Sequence, residues 1–293
     1  MLRSLAVLLA VAVAVTACKN RKPQEPDEFS NLGRSNASSE PPTGVHAPVA
    51  DGDLAAISRR GRLLYDMDRA LRLAREQGLS RIGEPKDDVI LPVVDVDPGG
   101  RSAQVVFLRW PKSATPERSR LSADDAQRWL LVSMLLEPER VLDVEVQEAK
   151  IVRHTGEHVH GGAIIEAAKQ LEQLAPGTRF TMLSVFEQAD IPGGIVTRVY
   201  AFAADGEGPD VEIVVAPGKG KRGMPRVLAT RTTHAAGAIA AEQVTLGERD
   251  QPAAMTVARV MQMGPDAEPV LVHTRSGAWR VMPADGRVMR DAG

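Results

Sequence analysis

The chain predicts an α+β fold, built mostly from antiparallel sheet, with about three helices in the N-terminal half and a strand-rich C-terminal half. Three observations carry this expectation. Apolar residues recur at helical spacing over 53–78, where Ile57, Leu64, Met67, Leu71 and Ala74 form a stripe that Leu63 and Ala70 widen. Two apolar runs, 89–96 and 103–110, flank Asp97-Pro98-Gly99-Gly100, a turn signal that reads as a β-hairpin. Beyond residue 180, short apolar runs alternate with Gly, Pro and Asp clusters, as consecutive strands joined by tight turns do.

Taken in order, Asp53 is placed to cap the first helix and Gly78 to end it, giving about six turns if Gly61 does not interrupt them. The hairpin follows. Ser122 and Asp125 resemble a capping box, which predicts a helix over 123–136 that stops before Pro138. Leu142, Val144 and Val146 alternate as a strand. A third helix is predicted over 163–174, closed by Pro176-Gly177. Strands are predicted at 180–186, 195–202, 211–215, 227–232, 255–261, 270–273 and 278–282. Helix followed by hairpin recurs loosely in both halves. The pattern fits two lobes, 53–160 and 161–293, and fits one domain over 53–293 equally well.

Composition narrows the function classes. Hydrophobic residues make up 43% of the 293, but aromatics only 3%, so the core is aliphatic and offers few rings for stacking a base or sugar. A formal net charge of −2 gives no global field for nucleic acid, which is not expected as a partner. The single cysteine has no disulfide partner within the chain.

The position of that cysteine is informative. Arg3 precedes an uninterrupted apolar run over 5–15, long enough for the core of a signal peptide and too short to span a bilayer, which takes about 20 residues. Val15-Thr16-Ala17-Cys18 follows, and this resembles the lipobox of bacterial lipoprotein precursors. The resemblance covers the first eighteen residues and implies cleavage after Ala17 with lipid attached at Cys18. It implies a signal peptide at 1–17, a lipidated (palmitate-type) N-terminus with a disordered tether over 18–52, and a globular region from 53. Lys19 stands where many inner-membrane lipoproteins carry Asp, so the resemblance implies the outer membrane facing the periplasm in a Gram-negative cell. The tether reading rests on composition: 19–51 has one aromatic, Phe29, and no apolar periodicity.

No catalytic set is legible: there is no Gly-x-Ser-x-Gly elbow, no Gly-x-Gly-x-x-Gly after a strand, and no further cysteine to act as nucleophile. The densest chemistry is His154-Thr155-Gly156-Glu157-His158 with His160. Its H-x-x-E-H pattern resembles the zinc motif of inverzincin metallopeptidases, which requires a helix to bring both histidines to one face. Thr155, Gly156, Val159 and Gly161-Gly162 argue against a helix, so a polar loop or a strand is expected. As a strand, the segment would put His154, His158 and His160 on one face, a candidate zinc or copper site. The loop reading implies no cofactor.

Gly218-Lys219-Gly220-Lys221-Arg222-Gly223 lacks the Walker serine or threonine and reads as an exposed turn rather than a phosphate cradle. The first helix carries Arg59, Arg60, Arg62, Arg69, Arg72 and Arg75, either as the solvated face of a core helix or as a surface for anionic head groups. The closing segment 274–281, with Gly277 before Trp279, resembles the last hairpin of small NTF2-like envelope domains. The expected role is therefore that of an envelope lipoprotein that binds or scaffolds an unidentified envelope protein without catalysis. The alternatives are a metal-binding protein using the histidines and a membrane-surface domain using the arginine helix.

Overall fold

The computed structural model describes residues 53–83, 85, 88–110, 121–153, 155–189, 194–204, 208–218, 224–235, 243–246 and 249–291. All of them fall within one compact unit, 41–293. The leader, Cys18, the tether, His154 and Lys219 to Gly223 lie outside the described residues.

The fold is α+β with antiparallel sheets, and it states one unit twice: a long helix, then a four-stranded antiparallel meander. The first unit is α1 (Leu54–Leu73), β1 (Val89–Val96), β2 (Ser102–Trp110), β3 (Gln127–Leu136) and β4 (Glu139–Lys150), in sheet order β1-β2-β3-β4. The second is α2 (Gly156–Leu174), β5 (Phe180–Gln188), β6 (Ile195–Ala203), β7 (Pro209–Ala216) and β8 (Arg226–Ala235), in order β5-β6-β7-β8. The repeat extends to detail. Each fourth strand carries Arg-Val-Leu, and in each the pairing register skips the leucine, Leu142 between Val141 and Asp143, Leu228 between Val227 and Ala229.

The first strand of each unit lies beside the other, β1 next to β5, so the two sheets form one layer. Pro92, in the edge strand β1, has no N–H to donate sideways, consistent with the two sheets meeting without a shared ladder. Alternation along the strands gives this layer two apolar faces. One face, with Val94, Val105, Phe107, Leu130, Val132 and Met134 from the first sheet and Leu183, Val185 and Phe202 from the second, packs on α1. On the other face, Val106, Leu108 and Trp110 meet Ile164 and Ile165 of α2, and Val199, Val211 and Ile213 meet its Ala163, Ala167 and Leu171.

A third part completes the chain. Strand β9 (Gln243–Leu246) pairs in parallel with β10 (Val270–Thr274), which requires a crossover, and helix α3 (Ala254–Gln262) provides it. β11 (Gly277–Val281) and β12 (Val288–Arg290) extend that sheet to β12-β11-β10-β9. α3 packs against α1 at Gly61, where an added Cβ would lie 2.4 Å from the Val257 Cγ1 methyl. Gly61 therefore does not break the helix; it is what lets the two helices approach.

Several sequence expectations are corrected. The segment 123–136 is not a helix. Ser122 does accept the Asp124 N–H, but what it opens is a three-residue 3₁₀ turn, Ala123–Asp125, and β3 follows. Trp129 apart, its buried residues Leu130, Val132, Met134 and Leu136 repeat every second position, between β2 and β4 on either side. Pairing on both edges overrides the helix preference of Leu and Met. The segment 255–261, expected as a strand, is the core of α3, buried on two sides: Met255 and Ala258 join the α1 core, while Val257, Val260 and Met261 pack with the C-terminal sheet. Among the described residues the long helices are α1, α2 and α3, and α3 lies near the C-terminus. Gly78 does not cap α1: the helix continues as a π-turn, Ala74–Leu79, and a last turn, Ser80–Ile82, to Gly83 at φ +83°. Gly78 instead touches Val132, where a Cβ would sit 2.7 Å from Cγ2.

Candidate binding cleft

The C-terminal end of α1 leaves a cleft where the two sheets meet. Arg75, Leu79, Ser80 and Gly83 form one wall, Ile90, Pro92 and Phe107 the floor, and Arg179, just before β5, the opposite wall; the volume is about 660 Å³. That size suits a small organic ligand. A second cleft of about 340 Å³ begins on the other side of Arg75, between α1, β6 and α3, and is lined by Leu71, Arg72, Phe202 and Arg259 among others. Arg75 and Arg179 are exposed, while Leu79, Pro92 and Phe107 are buried. The first cleft thus joins an apolar floor to two guanidinium groups. Among the described residues its lining holds no carboxylate, imidazole or thiol, and the Ser80 hydroxyl donates to the Glu76 carbonyl. Such a lining can bind and orient an anionic group, but it offers no general base beside a nucleophile.

The other arginines of α1 are mostly ties within the protein. Arg60 is only 4% exposed and donates to Glu187 Oε2 (2.8 Å) and the Tyr200 hydroxyl (2.9 Å). Arg62 reaches the Asp285 carbonyl, and Arg69 holds Asp66, Glu139 and the Leu136 carbonyl. Arg72 pairs with Asp68 one turn back. Arg59 is exposed and lies 3.8 Å from Asp53.

Arg60 opens a buried relay across the second sheet. Arg198 donates to both oxygens of Glu187 and to Glu212, and Arg249 donates to the other oxygen of Glu212 (3.2 Å). Burial pushes the Glu212 carboxyl up, yet Arg198 and Arg249 outweigh it and hold the group below its ordinary value. Burial takes the Tyr200 hydroxyl up to about 12. Cation and anion alternate along the relay and each carboxylate meets two guanidinium groups, so it reads as an internal brace rather than a reactive centre. Sequence reasoning missed Glu187, Arg198 and Glu212; an ionisable residue within an apolar strand run was the available signal.

The histidine segment is helical, which corrects both the loop and the strand expectations. Thr155 caps α2, its hydroxyl accepting the His158 N–H, and Arg128 grips Glu157 in the first turn. Gly161 and Gly162 sit in the helix because it packs closely: a Cβ would lie 2.9 Å from Leu108 and 3.1 Å from Pro225. His158 and His160, two positions apart on a helix, point to different partners. His158 Nε2 meets Asp124 Oδ1 at 2.9 Å, and that contact, with Arg153, holds the Asp124 carboxyl below its ordinary value. His160 Nδ1 meets the Ser184 hydroxyl at 2.8 Å, and its ring stacks on Phe186 at 3.8 Å. Burial lowers the His160 imidazole to about 3. Among the described residues, no group of three or more His, Cys, Asp or Glu side chains could hold a metal ion. No helix among them is long and apolar enough to cross a membrane.

Comparison with protein-family models, curated proteins and solved structures gives no match. The geometry of the clefts and of the relay is therefore what a functional reading rests on.

Proposed function

We propose that the protein is a membrane-anchored envelope lipoprotein with a non-catalytic binding role, and that the cleft beside Arg75 and Arg179 takes a ligand with an anionic group and an apolar body. The lining of that cleft carries the reading: two exposed cations over an apolar floor of Phe107, Pro92, Ile90 and Leu79. A carboxylate, sulfonate or phosphate would bridge the guanidinium groups, and the apolar part would cover the floor. The anchor is supported by the lipobox resemblance at Val15 to Cys18 and would place the cleft at a periplasmic membrane face.

Fluorescence titration with anilinonaphthalene sulfonate, an anionic aromatic probe, tests the cleft. Saturable binding to the native protein should weaken about tenfold or more in Arg75→Glu and Arg179→Glu, since each removes a charge-assisted contact of about 1.5–3 kcal/mol. The uncharged analogue phenylnaphthylamine should bind far less well. Equal binding of both probes, or indifference to either substitution, would sink the assignment. For the anchor, Cys18→Ala should abolish acylation and membrane partitioning; a variant that is still cleaved and acylated would refute it.

A further inference from the structure

The two fourth strands are the outer edges of the layer formed by the repeated sheets, and they differ in charge. β4 carries Glu139, Asp143, Glu145 and Glu148 against Arg140 and Lys150; β8 carries Arg226 and Arg231 and no carboxylate. Each is terminal in its sheet, and among the described residues no strand pairs with its outer side. Exposed apolar residues accompany both edges, Leu142 (46%) and Val146 (51%) on β4 and Leu228 (39%) on β8. Long edges with unpaired backbone groups and exposed apolar side chains are templates for another strand.

Register divides each strand into two surfaces. On β4, Val144 and Val146 share the surface of their partners Val132 and Leu130, while Asp143 and Glu145 lie on the opposite one. On β8, Thr230 and Thr232 lie opposite Ile213 and Val211 on one surface, and Arg226 and Arg231 share the other. We propose that β4 of one copy pairs with β8 of a second copy, bringing Asp143 and Glu145 onto one surface with Arg226 and Arg231, and Val144 and Val146 onto the other with Thr230 and Thr232. Like edges match less well: β4 on β4 brings the carboxylates of both copies together on one surface, and β8 on β8 brings the arginines together with no carboxylate between them. The register also sets the orientation. The acidic surface of β4 is on the α2 side of its sheet and the basic surface of β8 on the α1 side of its own, so the second copy is turned over relative to the first. The contact is heterologous, so each copy retains one acidic and one basic edge for the next, and the assembly is a ring or a chain. It uses no residue of the ligand cleft, so either proposal can fail alone.

Sedimentation velocity of the full-length chain in mild detergent tests it through charge reversal. The native chain should associate with rising concentration, and less so at high salt. Asp143→Lys with Glu145→Lys, and separately Arg226→Glu with Arg231→Glu, should each sediment as monomer while keeping the native circular dichroism. An equimolar mixture of the two reversed proteins should regain association, because each then offers the edge the other lacks; this arm also excludes misfolding as the cause of the loss. A native chain that stays monomeric overturns the proposal. So do association that survives either reversal and a mixture that stays monomeric.

Discussion

The two halves of the central layer share a topology but are fastened to α1 by different means. The first sheet offers it a wholly apolar face, Val94, Val105, Phe107, Val132 and Met134, against Leu64, Met67 and Leu71. The second sheet offers Leu183, Val185 and Phe202 in part, but also Glu187, Arg198, Tyr200 and Glu212, and receives the buried Arg60. The apolar face gains by area removed from water and tolerates small shifts. The ionic face requires every member present, because a buried charge without its counter-charge is costly. A repeated architecture can therefore fasten one half by apolar area and the other by charge balance.

The largest expected effect breaks the ionic half. Glu187→Ala leaves Arg60 and Arg198 without their shared carboxylate and should cost about 3–5 kcal/mol in denaturant unfolding. Phe107→Ala should cost a similar ~3–5 kcal/mol on the apolar side. The two separate on coupling: Glu187→Ala should be strongly non-additive with Arg60→Met, whereas Phe107→Ala should add to it simply. Additivity in both cycles would show that the relay does not act as a unit.

A smaller effect probes the shared helix. Gly61→Ala forces a methyl group into Val257 and the Ala254 carbonyl, and should destabilise by about 1–3 kcal/mol, as overpacking does. An unchanged midpoint would mean that α1 and α3 can separate freely.

The comparison is next sharpened by acid. His160, held by burial at about 3, well below its ordinary value of 6.5, is neutral in the folded state, so the unfolded chain takes up the proton first. Its contribution is complete above pH 6.5 and is lost as pH falls toward 3, at no more than about 1.4 kcal/mol per pH unit. Thermal midpoints should therefore fall between pH 6.5 and 5, and His160→Gln should flatten that fall. Glu212, depressed in the folded state, acts in a lower window: its contribution is present above its ordinary value of 4.5 and is lost as pH falls further. A native protein whose midpoint is flat from pH 7 to 5 would contradict the His160 assignment.

The smallest effects are expected at the edges. Leu142→Ser and Leu228→Ser remove exposed bulge residues of the two repeats, and each should change the stability of dilute protein by less than about 0.5 kcal/mol. A larger loss in one of them, read by thermal unfolding, would show that the two edges are not equivalent.

Local chemistry was legible wherever one segment holds its own answer. Asp53 accepts the Ala56 N–H as an N-cap should, and Asp97 gathers the N–H groups of Gly99, Arg101 and Ser102 around a turn with Gly100 at φ +67°. The runs at 180–186, 195–202 and 211–215 are strands β5, β6 and β7, because alternation and flanking turns agree there. Segment 123–136 was not legible: its apolar residues fit both periods, and only neighbours on each edge select the strand. The histidine helix was hidden for a related reason. Its glycines lower intrinsic helix propensity, and their use appears only when Leu108 and Pro225 press on them.

The sequence by itself determined the fold class, the hairpin, the first helix and its cap, the likeness of Val15 to Cys18 to a lipobox, and the expectation of an aliphatic core, because each follows from spacing or composition within a few residues. Tertiary structure decided the rest. The cleft joins Arg75, Phe107 and Arg179, and the relay joins Arg60, Glu187, Arg198 and Arg249, residues far apart in the chain whose meeting depends on how the sheets stack. Whether an arginine on a helix is a solvated charge, a brace or a ligand contact is set by what lies across from it, and the chain order of its own neighbours carries no record of that.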